Sequence, residues 1–298
     1  PDPFQCPKMA SPRLLPRVLV ISGSDSGGGA GLQADIKACL ANGAFAMNAV
    51  SCITAQNTQG VQGVLGIEPS FVVAQMDSVL DDLGADSAKT GMLATAEVVR
   101  AVSERLQKAA PLAVVVDPVM VTASGYVLVD HETIQAVCSH LLPIATVCTP
   151  NLREAALLLG LSELPETLEA VRNAAKAIFD QFGPNLVLVK GSRATPSPDA
   201  VWIFGATGDS EATIVDVLYD GVTWTELACP AVETRNTHGT GCTLASAIAA
   251  HLARGKDVNA AVVSAKEYLD AALRASATLA LGSGSHGPID HGFNIKCP

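Results

Sequence analysis

Short uninterrupted apolar runs alternate along this chain with longer segments whose apolar residues recur every three to four positions. The runs read as strands: RVLVIS at Arg17 to Ser22, the stretch from Ala44 to Gln56, Val61 to Ile67, then SAKTGM, LAVVVD, TVCTPN and LVLVKGS. Helices are predicted from Leu32, over Ser70 to Leu83 with Ser70 as cap, and over Thr95 to Lys108. Further ones are predicted over His131 to Leu142, Leu152 to Gly160, Glu166 to Phe182, Cys242 to Ala253 and Val258 to Leu281. Strands without a polar face lie in a parallel sheet covered on both sides, so the repeated strand–helix alternation predicts an α/β fold. The stretch from Ala200 to Cys229, rich in β-formers and Gly/Asp turns, reads as an antiparallel hairpin at the sheet edge, with a turn at Gly205 to Asp209 and a flexible VTASG further back at residues 121 to 125.

Polar residues fall where these strands end, which is where open α/β sheets bind ligands. In the first helix the stripe Leu32, Ile36, Cys39 and Leu40 leaves Asp35 near the preceding turn. Gln56 closes the second strand and offers both a donor and an acceptor to a heterocycle. Met76 reads as core. Asp117, Asn151, Glu154 and Lys190 all follow strand ends on one side of the sheet. Two carboxylates, Asp117 and Glu154, with Asn151 beside them suit a Mg²⁺ held through water, and Lys190 suits a phosphate.

The richest stretch is ETRNTHGTGCTLASAIAAHLARG at Glu233 to Gly255, read as a strand end, the glycine turn Thr237 to Gly241, and an alanine-rich helix. The first amides of a helix lack intrahelical acceptors and carry the positive end of its dipole, so Gly239, Thr240 and Gly241 form an anion cradle. Cys242 sits in the first turn, where the dipole favours thiolate over thiol. The earlier loop GSDSGGGAG matches neither the dinucleotide fingerprint nor a Walker A loop.

Composition narrows the classes. A net charge of −10 argues against a nucleic-acid surface, since such proteins carry a basic face to replace counterions. Neither a membrane-spanning run nor a signal-peptide centre is present, and the proline-rich first 16 residues are set apart as a tail from a single domain over residues 17 to 298. The eight cysteines include no CxxC pair and fall mostly in apolar runs, which points to reduced core thiols in a reducing compartment. His286 and His291, in the C-terminal loop, have no metal-ligand spacing.

Seven ordered motifs, GSDSGGGAGLQADIK, TAQNTQGV, KTGML, VVDPVMV, TPNLREA, LVKGS and TRNTHGTGCTLASAIAA, together resemble the hydroxymethylpyrimidine/phosphomethylpyrimidine kinases of thiamine biosynthesis, in the ribokinase-like superfamily. The resemblance covers Arg17 to about Phe293 and is nearest to the kinase portion of plant-type enzymes. It implies a ribokinase-like three-layer α/β/α sandwich with a mostly parallel central sheet, and ATP- and Mg²⁺-dependent phosphorylation of 4-amino-5-hydroxymethyl-2-methylpyrimidine, then of its monophosphate. By the same resemblance Gln56 reads the pyrimidine, and Gly23, Asp35, Met92 and Val119 line its pocket. Gly239, Thr240 and Gly241 form the anion hole, with Cys242 where superfamily sugar kinases place an aspartate base. Lys190 and Lys266 match phosphate or nucleotide contacts, Asn151 and Glu154 the metal–water motif. A homodimer is implied, in the cytoplasm, or in a plastid if a transit peptide has been removed. The stretch from about Ala206 to Asp216 is longer than the family pattern. A pyridoxal kinase with the same cysteine is the nearest alternative, and a non-catalytic nucleotide-binding protein the alternative of another class.

Overall fold

The computed structural model describes residues 14–109, 112–121, 127–203 and 212–295. Among these residues ten strands form one sheet: β1 (Arg17–Asp25), β2 (Phe45–Asn57), β3 (Gly60–Gly66), β4 (Ser87–Thr90), β5 (Ala113–Val116), β6 (Val147–Cys148), β7 (Val187–Ser192), β8 (Val201–Trp202), β9 (Thr213–Tyr219) and β10 (Trp224–Pro230). Their spatial order is β3-β2-β1-β4-β5-β6-β7-β9-β10-β8. The centre from β2 to β7 is parallel, as the apolar strands require; β3 pairs antiparallel with β2, and β9 with both β7 and β10. The expected hairpin is β9–β10, capped at its outer side by the short β8, which runs parallel to β10. A second antiparallel pair, β2–β3, lies at the opposite edge.

Among the described residues eight α-helices complete the layers: α1 (Gly31–Ala41), α2 (Pro69–Leu80), α3 (Ala96–Lys108), α4 (His131–Ala136), α5 (Leu152–Leu159), α6 (Leu168–Phe182), α7 (Thr240–Ala253) and α8 (Val258–Ala275). Successive strand residues point to opposite faces: Leu19 and Ile21 join the core under α2 to α6, Val18 and Val20 the core under α1, α7 and α8. Capping fixes most helix starts. Thr95 accepts from Val98 N, Thr167 from Ala170 N, and Asn151 with Glu154 forms a reciprocal capping box on α5.

Several expectations shift. Helix α2 starts one residue before Ser70, behind Glu68 and with Pro69 in its first turn, since proline's fixed φ and missing N–H suit that position. The helix predicted over His131 to Leu142 loosens after Ala136 into a wider turn at Val137–Leu141 and a tight one at Leu142–Ile144 around Pro143. The last long helix stops at Ala275 and ends in a short tight turn, and no strand reaches Glu233, because β10 ends at Pro230. On α1 the predicted stripe is rotated: Ile36 and Leu40 are exposed, whereas Leu32, Ala34, Asp35, Ala38 and Cys39 are buried. Alanines on α1 and on α7 let those two helices approach closely, and Cys39 Sγ contacts Ser246 O at 3.7 Å. Small side chains won the interface over larger ones. The predicted turn at Gly205 to Asp209 and most of VTASG, like residues 1 to 13, lie outside the described residues.

Candidate active site

The chain enters the sheet at β1, turns to β2 on one side and returns to β4 on the other, so the topology reverses beside β1. A cavity of about 590 Å³ opens there, at the carboxyl ends of the parallel strands. Gln56, Gly23, Met92, Val119, Asp117, Asn151, Glu154, Lys190, Lys266, Gly239, Thr240, Gly241 and Cys242 all line it. Residues separated by almost two hundred positions in sequence, Gln56 and Cys242 among them, share one hollow.

Asp35 is the exception. It is fully buried off the cavity wall, and its carboxylate accepts Lys89 Nζ at 2.8 and 3.0 Å and Ser246 Oγ at 2.7 Å. An isolated buried carboxylate is prohibitively costly, so the rotated helix face demands a cation. Lys89, wholly enclosed on β4, supplies it. Burial alone would discharge this ammonium, but Asp35, Cys242 and Asp117 hold its pKa above the usual lysine value.

Helix α7 starts on the cavity wall. Gly239, at φ 86°, is its cap residue, and a Cβ there would run into Gly29 O, so only glycine closes this turn against the first loop. Gly23 is bare for a related reason: a Cβ would lie 2.6 Å from Cys52 Sγ. A Cβ on Gly241 would lie 3.5 Å from both Asp117 Oδ2 and Lys190 Nζ, which sets the first turn of α7 directly against that ion pair. Cys242 follows. Its thiol is pushed up to about 12 by burial, against the pull of Lys89 and of the Gly31 N–H. The group is therefore a neutral thiol: loss of water around sulfur outweighs the pull of the helix dipole towards thiolate.

Opposite lies a charged cluster. Lys190 Nζ donates to Asp117 Oδ1 at 3.0 Å and to Thr149 O, and Thr149 Oγ1 donates to Asp117 at 3.1 Å. Burial lowers the Lys190 pKa, but Asp117 and Glu154 more than compensate, so the ammonium stays charged. Glu154 is pushed up to about 7 by burial and by Asp117, with Lys190 opposing. Lys266, expected at a phosphate or nucleotide, is buried and pairs with Asp216. Asp216 also accepts Gly191 N at 2.7 Å, tying the β7 exit to the cavity.

Among the described residues no group of three or more His, Cys, Asp or Glu forms a ready metal cage. The donors present nonetheless fit magnesium, which takes few protein oxygens and keeps much of its water. Asp117, bonded to Lys190, and Glu154, whose pKa burial raises, are the two carboxylates that the cavity offers such an ion.

Sequence reasoning missed Asp25, His238, Lys89 and Asp216. Asp25 accepts three loop amides, from Gly27 at 2.8 Å, Gly29 at 3.0 Å and Ala30 at 2.8 Å, and meets His238 Nε2 at 3.1 Å. An aspartate two residues before a glycine run is a loop-capping signal, which could have flagged it. Lys89 carried a signal too, as a lone charge inside a strand pattern.

Comparisons with known proteins show the family of this chain. A family profile described as phosphomethylpyrimidine kinase matches residues 25–290. The chloroplastic thiamine biosynthetic bifunctional enzyme of Arabidopsis thaliana is 45% identical over 286 residues, 96% of this chain and 52% of that protein. The hydroxymethylpyrimidine/phosphomethylpyrimidine kinase of Streptomyces coelicolor is 44% identical over 280 residues, 94% of this chain and 96% of its own. The chain thus spans about half the length of the plant relatives it matches. Among solved structures, the pyridoxal kinase of Staphylococcus aureus in complex with AMP-PCP and pyridoxal superimposes with a TM-score of 0.79 at 33% identity, covering 95% of this chain and 96% of that one.

Proposed function

The chain belongs to the phosphomethylpyrimidine kinase family and has its ribokinase-like fold, and from that footing we propose that it transfers the γ-phosphoryl group of ATP first to the hydroxymethyl group of 4-amino-5-hydroxymethyl-2-methylpyrimidine and then to the resulting monophosphate. The observation that carries this reading is the single cavity joining Gln56, which suits the aminopyrimidine ring, to Cys242 and the start of α7, which suit the travelling phosphoryl group. ATP fits on the side of Lys190, Asn151 and Lys266. Asp117 and Glu154 would hold Mg²⁺, which when bound neutralises charge on the transferred group and on ADP.

Each residue then has a physical task. Phosphoryl transfer passes through a loose transition state, so positioning and charge stabilisation dominate. The first-turn amides of α7 and the Lys190 ammonium stabilise the charge on the transferred group. The alcohol proton becomes acidic only as its oxygen binds phosphorus and then passes to an oxygen of the transferred phosphoryl group, so no strong base is required and Cys242 can stay a neutral thiol that orients the hydroxyl. In the second transfer the nucleophile is already an anion. A fixed carboxylate would repel it; a thiol does not.

The reading is tested by ADP release from Mg-ATP with the aminopyrimidine, compared with pyridoxal. Pyridoxal-only turnover would favour the second reading, which the likeness to the Staphylococcus aureus enzyme supports. A folded chain releasing no ADP with either would favour a non-catalytic nucleotide-binding role. The reading also carries a homodimer, checked by sedimentation at two concentrations. Among the described residues no helix is long and apolar enough to cross a membrane; the compartment, cytoplasm or plastid, is tested by imaging the full-length gene product.

A further inference from the structure

The geometry points to His238 as the residue that fixes which way round the Gln56 amide faces the ring, and hence the specificity of the site. The inference rests on the kinase reading above and deepens it. It begins with a conflict between donors. His238 Nε2 lies 3.1 Å from Asp25 Oδ2 and also 3.1 Å from the Gln56 atom drawn as Nε2. Asp25 can only accept: it already takes three backbone N–H groups, and these with His238 hold its pKa below the usual carboxylate value although burial alone would raise it. His238 Nε2 must therefore carry a proton, and an amide nitrogen facing that N–H would place two donors against each other.

The far end of the same amide says the same thing independently. Thr54 Oγ1 has one hydrogen, and Ser24 O at 2.9 Å takes it. The Gln56 atom drawn as Oε1, 3.3 Å from Thr54 Oγ1, would then be an acceptor facing an acceptor. Exchanging the amide oxygen and nitrogen resolves both ends at once, as such assignments are decided by the hydrogen-bond network. The oxygen then shares the single His238 Nε2–H with Asp25 Oδ2 in a three-centre bond, both at 3.1 Å, and the nitrogen donates to Thr54 Oγ1.

One N–H and one lone pair of the Gln56 amide are left for the cavity, with the donor toward Thr54 and the acceptor toward His238. That pair complements the edge of an aminopyrimidine, a ring nitrogen beside an exocyclic amine, in one orientation only. The imidazole itself is held in place. His238 N donates to Gly287 O at 3.0 Å, and the ring lies so close to Gly29 that a Cβ there would stand 2.8 Å from its Cδ2. His238 is thus a positioning residue that acts through Gln56.

The test compares His238→Leu with His238→Gln, because the glutamine amide nitrogen can replace the imidazole Nε2–H whereas leucine offers no donor. His238→Leu should raise KM for 4-amino-5-hydroxymethyl-2-methylpyrimidine about tenfold, as expected for a site left with an unfixed polar partner. KM for ATP should stay put, kcat should fall less than KM rises, and His238→Gln should stay within about threefold of the unaltered protein. Unchanged pyrimidine KM in the leucine variant, or an equal loss in both variants confined to kcat, overturns the inference. Nitrogen-15 spectra of the unaltered protein give a second reading that does not depend on the variants folding. The proton should sit on Nε2 of His238, and the Nδ1–H tautomer overturns the inference. If the unaltered protein fails to phosphorylate the aminopyrimidine, the kinase reading fails, while the tautomer still decides the amide orientation.

Discussion

Replacing Cys242 with aspartate should separate the two phosphoryl transfers. The side chain stands in the first turn of α7, on the cavity wall, with burial, Asp35 and Asp117 pushing its pKa up and Lys89 opposing them. A carboxylate at this point adds a negative charge where the first transfer presents a neutral alcohol and the second an anionic phosphate. Two unit charges about 4 Å apart repel by roughly 4 kcal/mol at an effective dielectric of about 20, and a larger charge on the phosphate raises the figure. At about 1.4 kcal/mol per factor of ten, the second transfer should slow by about a thousandfold or more. The first should change by much less, because an aspartate is at least as good a proton acceptor as a neutral thiol. Single-turnover measurements that start separately from the alcohol and from the monophosphate read the two steps apart. An unimpaired second step, or equal losses in both, would refute the repulsion argument.

Cys242→Ser should act in the opposite sense, slowing transfer to the alcohol more than transfer to the phosphate in the same assay. Lys89→Met leaves the enclosed Asp35 carboxylate without its cation and should cost about 3–5 kcal/mol in urea unfolding, with Asp35→Asn added to it recovering most of the loss. Glu154→Gln should weaken the Mg²⁺ dependence of turnover at least tenfold, since one of two cavity carboxylates is lost, and should disturb the α5 capping box only modestly; an unchanged Mg²⁺ titration would remove Glu154 from that role. His251 and His291 are buried, and desolvation holds both at about 4, below the ordinary 6.5. The unfolded chain binds more protons between these values, so the stabilisation is complete above about 6.5 and is lost as pH falls toward 4, by up to roughly 3 kcal/mol for each ring. Denaturation midpoints across that window check it, and His251→Leu should flatten the slope.

Much of this architecture was legible in the residues because the strands of a covered parallel sheet have no polar face and their polar endings mark the ligand side. Asp117, Asn151, Glu154 and Lys190 were placed by that logic, and the structure brings them to one cavity with Gln56 and Cys242. What escaped depended on contacts between distant segments. The inward face of α1 is set by its fit to α7, so Asp35 went under the floor and Ile36 into solvent. Lys89 is explicable only through Asp35, 54 positions away. His238 stood in plain view inside the glycine turn, yet its part emerges only when Asp25, Thr54 and Gln56 surround it. The protonation state of Cys242 could not be read from sequence, because helix position is visible there and desolvation is not.

The most direct test follows product masses over time after the folded chain is mixed with Mg-ATP and 4-amino-5-hydroxymethyl-2-methylpyrimidine. The monophosphate should appear first and give way to the diphosphate, with one ADP formed for each transfer. A folded protein that leaves the pyrimidine unmodified would contradict the account.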